Sequence, residues 1–391
     1  MRTTFSRTDE SILGRWWWSI DRWMITAIIT IIACGAILAL AASPAVAKHH
    51  NLDTFFFARR HFILIPVSVM IMFAASLLDR KGVRQLAVIC FCSSVLLLIF
   101  TLLTGAEIKG AVRWINLAGF SIQPSEFVKP SFTIISAWMF SAWRLKEGFP
   151  GYLVSVGLYL VVVTMLLMQP DVGMTILISV VWGVQFFLAG LPMILVLVIG
   201  LIFIAGGFAA YFNFVHVQSR IDRFFDPAGN EAFQVARSLE AFRNGGIFGR
   251  GPGEGHVKEV LPDAHADFIF AVAGEEFGLI MTLFLTSLFL FIVLRGFKKA
   301  FKETDLFVQL AVVGLLVQFA LQAMINMAST LNLMPTKGMT LPLISYGGSS
   351  MLASAIGLGL VLALTRERPG QGNAWRNLGG KDMGRKLIYD Q

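Results

Sequence analysis

Charged residues are scarce in this chain. Only 14% of its 391 residues are charged and 56% are hydrophobic, whereas about a quarter of the residues of an ordinary soluble domain are charged. This composition argues against a water-soluble fold. The hydrophobic residues fall in long runs rather than in alternation, and a segment that crosses lipid must satisfy its own backbone hydrogen bonds. The sequence therefore predicts an all-α, polytopic integral membrane protein.

Cysteine is also rare, and the motifs of zinc proteins and hydrolases are missing. The three cysteines, Cys34, Cys90 and Cys92, lie inside apolar runs and are odd in number, which argues against a disulfide framework or a metal site. The six histidines show no zinc spacing, and there is no serine nucleophile elbow. Because the basic residues behind the net charge of +8 are scattered through short connectors, no binding to nucleic acid is expected.

The long apolar runs predict ten membrane spans of about 20 residues each. The predicted spans are 24–42, 61–78, 86–103, 127–143, 152–168, 172–189, 192–212, 276–295, 307–328 and 346–365. Only a short connector around Gly190 separates the sixth span from the seventh. The ten-helix membrane domain then covers residues 24–366, between an N-terminal segment, 1–23, and a C-terminal tail, 367–391.

Lysine and arginine are concentrated in alternate connectors, which therefore share one side of the membrane. These residues are Arg80, Lys81, Arg84, Arg144, Lys146, Arg295, Lys298, Lys299 and Lys302, and both terminal segments are basic as well. The positive-inside rule makes this side the cytoplasm. Both termini are thus expected in the cytoplasm, and the protein is expected in the cytoplasmic (inner) membrane. Trp16, Trp17 and Trp18 fit an interfacial belt before the first span.

The longest connector on the opposite, extracytoplasmic side covers about residues 213–275. It is punctuated by glycine and proline and holds too little apolar sequence to cross the membrane. Within it, five apolar residues recur at helical spacing: Ala232, Val235, Ala236, Leu239 and Phe242. This pattern predicts a helix that lies on the outer membrane surface.

Charged residues in or beside the spans are costly in lipid, so each is a functional candidate. Glu126 and Lys129 open the fourth span with a spacing that lets them pair. Asp171 lies between the fifth and sixth spans, and Asp267 lies where the long connector meets the membrane. Lys337 belongs to the same outer layer. Desolvation at such a surface strengthens a carboxylate as a base, which suits Asp267 for proton transfer.

Each of these candidates has a structural alternative. Glu126 and Lys129 also fit a purely structural ion pair, and Asp171 fits a helix cap. The glycine-rich segment 249–255 lacks the Gly-Lys-Ser/Thr ending of a phosphate loop. We interpret it as a flexible loop, although its backbone N–H groups could contact a diphosphate.

Five stretches of the sequence resemble the SEDS family of bacterial shape, elongation, division and sporulation proteins. They are residues 110–115, 123–129, 169–173, 245–278 and 335–350. The polar N-terminal segment with its three tryptophans and the stretch 261–265 look more like the division members than the elongation members. A match to several motifs in order, set on ten spans, is a specific one.

The resemblance implies a peptidoglycan glycosyltransferase that polymerises lipid II during cell division on the outer face of the cytoplasmic membrane. The transfer would invert the sugar configuration and release undecaprenyl diphosphate. Asp267 matches the catalytic aspartate of the family. Other matched positions are Glu126, Lys129 and Asp171, which line the family's central cavity, and Arg113, Trp114 and Lys337.

Such a reaction needs a base for the acceptor hydroxyl and positive charge for the leaving diphosphate. The candidate cations are Arg243, Arg250, Lys129 and Lys337. A divalent cation, Mg²⁺ or Mn²⁺, is a further candidate whose identity the sequence leaves open, and no organic cofactor is expected. The resemblance implies a class B penicillin-binding transpeptidase and other division proteins as partners. The alternatives are a lipid II flippase and a non-catalytic scaffold.

Overall fold

All ten predicted spans fold as α-helices in a computed structural model of the chain. The structure describes residues 11–49, 51–108, 111–117, 120–145, 148–190, 193–213, 215, 218, 222, 230–261, 263–335 and 338–367. In chain order the helices are α1 (Ile12–Ser19), α2 (Arg22–His49), α3 (Phe56–Ser76), α4 (Arg80–Thr104), α5 (Pro124–Leu145), α6 (Gly151–Met168), α7 (Val172–Leu188), α8 (Met193–Asn213), α9 (Asn230–Gly245), α10 (Ile269–Ala300), α11 (Leu306–Thr330) and α12 (Gly348–Leu364). Helices α2 to α8 and α10 to α12 correspond to the predicted spans.

Helix α11 lies at the centre of the bundle. By length and composition, six helices of the described chain can cross a membrane, namely α2, α3, α4, α6, α10 and α11, and α7 and α12 are apolar but shorter. In α11, 72% of the apolar window is buried, against 22% in α3 and in α6. Helix α5 is also buried along most of its length. Helices α5 and α11 thus form the interior, while α3 and α6 present apolar side chains to lipid.

One end of the bundle, here called the basic end, holds those arginines and lysines of the alternate connectors that the structure describes. Arg80 at the start of α4 pairs with Asp305 at the start of α11, with 2.8 Å between Nη1 and Oδ2. Arg366, which follows α12, donates to the backbone oxygen of Ser76 at the end of α3 over 3.1 Å. These residues therefore share one side, as predicted. That this side is cytoplasmic stays a prediction.

Asp21 joins the start of α2 to the end of α10 at the basic end. Its carboxylate accepts hydrogen bonds from Arg295 Nε at 2.7 and 2.8 Å and lies 3.3 Å from Lys299 Nζ. Burial alone raises the pKa of this carboxyl, but the hydrogen bonds from Arg295 and from the Met24 N–H, together with the nearby positive charges, outweigh burial and hold the pKa below its ordinary value. The ionised form of Asp21 is therefore the one that stabilises the fold.

Replacing Asp21 with asparagine should lower stability at neutral pH and have little effect in acid. A depressed pKa contributes stability that is present above the ordinary value of 3.8 and is lost as the pH falls through the folded-state value. Thermal unfolding of both proteins in detergent, from about pH 7 to about pH 3, measures this gap. Asp79→Asn is the matched control, because Asp79 caps α4 and asparagine caps about as well. A gap that stays constant with pH contradicts the prediction.

The opposite end, here called the Asp267 end, carries a small sheet that the sequence analysis did not predict. Strands β1 (Ala106–Ile108), β2 (Ala111–Leu117) and β3 (Phe120–Ile122) form an antiparallel sheet in the order β1-β2-β3 between α4 and α5. Ile115 of β2 is buried and pairs with Ile122 of β3. The membrane-spanning part of the fold is all-α, as predicted.

The long connector ends earlier than the predicted boundary at 275, because α10 begins at Ile269. Glu275 and Glu276, which lie in this helix, are each only 1% exposed. Their carboxylates are held by distant partners: His256 N–H donates to Glu275 over 3.0 Å, and Lys258 Nζ donates to Glu276 over 2.5 Å. Because these partners compensate the buried charge, the helix can start before the carboxylates.

Helix α9 confirms the predicted helix in the long connector. Its Val235, Ser238 and Ala241 are buried, whereas Ala236 of the predicted apolar face is exposed. The helix packs against α10, and a Cβ added at Gly245 would lie only 1.9 Å from the Gly274 oxygen. The buried face of α9 thus contacts protein and fixes the connector to the start of α10.

Candidate functional site

Asp267 lies in the turn that leads into α10, at the Asp267 end of the bundle. Asp267 is half-buried and stands in the sequence between Ala266 and the buried Phe268. The segment 338–346 approaches it from the other side, since a Cβ added at Gly338 would lie 3.4 Å from Asp267 Oδ2. Gly338 has φ +57, a conformation that favours glycine. The carboxylate is therefore bordered by the backbone at Gly338, and the residue as a whole is only partly buried.

The backbone of this turn is held by three donors from elsewhere in the chain. Tyr346 N–H donates to the His265 oxygen over 2.9 Å, and Ser345 Oγ donates to the Ala266 oxygen over 2.6 Å. Asn326 Nδ2, from α11, donates to the Asp267 oxygen over 2.9 Å. Three consecutive carbonyls are thus bound.

Glu126 and Lys129 form the predicted ion pair on α5, with 2.8 Å between Oε2 and Nζ. Their side chains are 8% and 2% exposed. Lys129 Nζ also donates to Gln322 Oε1 over 2.8 Å. Their contacts are therefore those of the structural ion pair that was the alternative to a functional role. Lys129 is the most buried of the described candidate cations. Direct contact between its ammonium and a diphosphate would require these partners to separate.

Arg113 and Asp171 meet at the corner between α6 and α7. Arg113, on β2, donates to the backbone oxygens of Gln169 and Pro170 at 3.3 and 2.5 Å. Its Nη1 lies 3.7 Å from Asp171 Oδ1. The Asp171 carboxylate also caps α7 by accepting from Met174 N–H over 3.3 Å. Asp171 thus caps a helix, as the alternative predicted, and pairs with Arg113 as well.

The remaining candidates differ in exposure. Arg243 in the last turn of α9 and Arg250 in the glycine-rich segment are exposed. Trp114 on β2 is half-buried, and its backbone lies opposite Ala106 of β1 in the sheet. Lys337 lies outside the described residues. Among the described candidate cations, Arg243 and Arg250 are therefore the two that are exposed.

The glycine-rich segment 249–255 is held against α10, which makes the interpretation as a flexible loop wrong. Gly251 N–H donates to the Glu276 backbone oxygen over 3.0 Å, and Gly253 N–H donates to the Glu276 carboxylate over 2.9 Å. Gly278 of α10, at φ +73, lies so close to the segment that an added Cβ would be 2.4 Å from Gly249 N. These N–H groups already have partners, so they are not available to bind a diphosphate.

Within the described part of the chain, no three or more His, Cys, Asp or Glu side chains are close enough together to hold a metal ion. Mg²⁺ is commonly bound by one or two carboxylates together with phosphate oxygens of the substrate. Binding of a divalent cation thus stays a prediction, and it would require phosphate oxygens of the substrate as additional ligands.

Three polar residues of α11 were missed by the sequence analysis. Gln318, Gln322 and Asn326 recur every fourth residue and so lie on one face of α11. Gln318 accepts from Thr133 Oγ1 over 3.2 Å, and Gln322 Nε2 donates to the Thr340 oxygen over 3.1 Å. Amides at this spacing inside an apolar span are costly in lipid, and that signal could have identified them.

The chain is similar to known cell cycle proteins. The family model for FtsW, RodA and SpoVE, described as "Cell cycle protein", matches residues 21–369. The probable peptidoglycan glycosyltransferase FtsW of Caulobacter vibrioides is 45% identical over 367 residues, 94% of each chain. A solved structure described as "Structural coordination of polymerization and crosslinking by a peptidoglycan synthase complex" matches with a TM-score of 0.74 and 28% identity, over 89% of this chain and 98% of that one. The rod shape determining protein RodA of Thermus thermophilus matches with a TM-score of 0.64 and 27% identity, over 89% and 97%.

Proposed function

The chain belongs to the cell cycle protein family of FtsW, RodA and SpoVE, and we propose that Asp267 is the general base of its peptidoglycan glycosyltransferase reaction. It is a multi-pass membrane enzyme of the division type, in line with its 45% identity to a probable peptidoglycan glycosyltransferase FtsW. Its similarity to a peptidoglycan synthase complex favours polymerisation over lipid II flipping. The observation that carries the proposal is the half-buried Asp267 carboxylate on a turn that the protein holds by three backbone contacts.

The substrate is lipid II, a disaccharide-peptide linked through a diphosphate to a lipid. Asp267 takes the proton from the 4-hydroxyl of the acceptor's glucosamine as that oxygen attacks the anomeric carbon of the donor's muramic sugar. The bond from this carbon to the diphosphate oxygen breaks, and undecaprenyl diphosphate leaves. Attack from the face opposite the leaving group inverts the anomeric centre. One carboxylate is enough, since the diphosphate leaves without a strong acid.

Positive charge near the leaving group offsets the charge that develops there. The exposure of Arg243 and Arg250 supports them in this role over Lys129, whose ammonium is already bound by Glu126 and Gln322. Lys337 and a divalent cation, Mg²⁺ or Mn²⁺, complete the proposed set.

The Asp267 end faces the outside of the cytoplasmic membrane, with both termini in the cytoplasm. The support is the gathering of arginines and lysines at the basic end, which the positive-inside rule places in the cytoplasm. A class B penicillin-binding transpeptidase is the proposed partner that cross-links the new strands at the division site. Its support is the matched complex, whose description joins polymerisation with crosslinking.

Purified chain incubated with labelled lipid II, with and without that transpeptidase, is expected to yield glycan strands. The length of the labelled products is measured by gel electrophoresis. Lipid II that crosses between vesicle leaflets and stays monomeric would support the flippase alternative instead. If lipid II is neither polymerised nor moved between leaflets, even with the partner present, the polymerase and flippase hypotheses are both contradicted. The non-catalytic scaffold is then the remaining hypothesis.

A further inference from the structure

Asn326 is buried at the point where three parts of the chain meet. It is 2% exposed and lies in the last two turns of α11. Its amide nitrogen donates to two backbone oxygens at once, that of Asp267 over 2.9 Å and that of Met339 over 2.6 Å. A side-chain amide has two N–H donors, so both are used. Asn326 therefore ties the turn before α10 to the segment 338–346.

The segment that Asn326 binds contributes its own contacts to the same turn. Ser345 Oγ donates to the Ala266 oxygen over 2.6 Å and accepts from Leu341 N–H over 2.8 Å. Tyr346 N–H donates to the His265 oxygen over 2.9 Å. Asn326 is the only α11 side chain among these donors, and it holds the carbonyl of the reactive residue itself.

The same segment is anchored to α5 through Gln322, one turn before Asn326. Gln322 Nε2 donates to the Thr340 oxygen over 3.1 Å and to Ser350 Oγ over 3.0 Å, while its Oε1 accepts from Lys129. Two successive carbonyls, those of Met339 and Thr340, are therefore bound by two amides spaced one helical turn apart. This arrangement fixes the segment relative to α11, a helix that is mostly buried in the bundle.

A general base must lie within hydrogen-bond reach of the proton that it removes. The carboxyl group of an aspartate is separated from its backbone by only two rotatable bonds, so its location follows the backbone closely. A displacement of about 1 Å can reduce the rate about a hundredfold. Bonds that hold the Asp267 backbone therefore act on the reaction without touching the substrate.

We propose that Asn326 is a positioning residue that sets the location of the Asp267 carboxylate by holding the carbonyls of Asp267 and Met339 together. This inference rests on the proposed role of Asp267 as general base. Asn326 itself makes no contact with substrate. Its effect is expected in the chemical step, whereas lipid II binding should depend on other residues.

The test is Asn326→Leu, a neutral replacement of similar size that removes both donors. We expect kcat for polymerisation to fall about tenfold to a hundredfold while KM stays within about twofold. The number of lipid II molecules bound per protein should stay unchanged. A merely structural defect lowers this number together with kcat, because part of the protein is then inactive. Ser329→Ala is the matched control, since Ser329 lies three residues further on α11, is also buried, and donates its hydroxyl to the Ile325 oxygen of its own helix.

Should Asn326→Leu fail to fold, Ser345→Ala removes one bond to the same turn, together with the bond that Ser345 accepts from Leu341 N–H, and should lower kcat by a smaller factor at unchanged lipid II binding. Parent-like kcat in the folded variant, or a rise in KM alone, overturns the proposal. Asp267→Asn is measured in parallel to separate the two ideas. If Asp267→Asn stays active, the base is wrongly assigned; if it is inactive while Asn326→Leu matches the parent, only the positioning role fails.

Discussion

Asp267→Asn is expected to abolish glycan polymerisation while the protein still folds and binds lipid II. Asparagine has nearly the same shape, but its amide cannot take the acceptor's proton. General bases contribute about a hundredfold to ten-thousandfold to rate, and no other described carboxylate shares this turn except Asp263. The backbone contact with Asn326 does not involve the carboxylate and should survive. The measurement is the fraction of labelled lipid II converted to strands per folded protein.

Asp263→Asn is the matched control for this substitution. Asp263 lies four residues earlier and has a positive φ of 56, which asparagine tolerates well. The substitution Asp263→Asn removes one negative charge from the same turn, so it tests whether the loss of charge alone abolishes polymerisation. We expect parent-level polymerisation from this control. Strands formed by Asp267→Asn at near the parent rate would show that Asp267 is not the base.

The membrane-spanning helices could be predicted because lipid allows few alternatives. A long apolar run in a bilayer must bond its own backbone groups, so each of the ten runs became a helix. Helix α9 was also predictable, because its apolar residues recur at helical spacing. The full buried face of α9 was not predictable, because Val235 of the predicted apolar face is buried but Ala236 is exposed, while Ser238 and Ala241 are buried where the helix packs against α10.

The features that sequence reasoning missed depend on contacts between distant residues. The connector was predicted to reach residue 275, whereas α10 begins at Ile269, and the contacts that hold the buried Glu275 and Glu276 come from residues 256–258. The three-stranded sheet has strands of three, seven and three residues, too short for a clear period-two pattern. Tertiary pairing thus outweighs the local signal in both places.

In the candidate site, too, contacts between neighbours in the sequence were predictable and contacts between distant residues were not. The pairing of Glu126 with Lys129 follows from a spacing of three on a helix, and the structure has it. The contact between Arg113 and the corner at Asp171 joins residues more than fifty positions apart, and local spacing does not predict it. Asn326 is similar, because its importance lies in carbonyls contributed by Asp267 and Met339 rather than in its own neighbours along α11.

Replacing Lys258 with methionine is expected to destabilise the long connector more than any surface substitution. Lys258 and Glu276 form an ion pair with side chains 6% and 0% exposed, and Lys258 also donates to the Gly253 oxygen over 2.9 Å. Methionine fills the space but leaves the Glu276 carboxylate buried beside one remaining donor, the Gly253 N–H. Leaving one member of a buried pair unmatched costs about 3–5 kcal/mol. Thermal unfolding in detergent and hydrogen exchange over residues 249–261 measure the loss.

The double variant, Lys258→Met with Glu276→Gln, separates the charge from the packing. Removing both charges leaves no uncompensated ion, so much of the lost stability should return. Exchange in the segment 249–261 should slow again in the double variant, because a glutamine oxygen can still accept from the Gly253 N–H. Polymerisation should recover in parallel, since this segment leads into the turn that carries Asp267. Equal instability of the single and double variants would mean that the lysine matters for its packing and not for its charge.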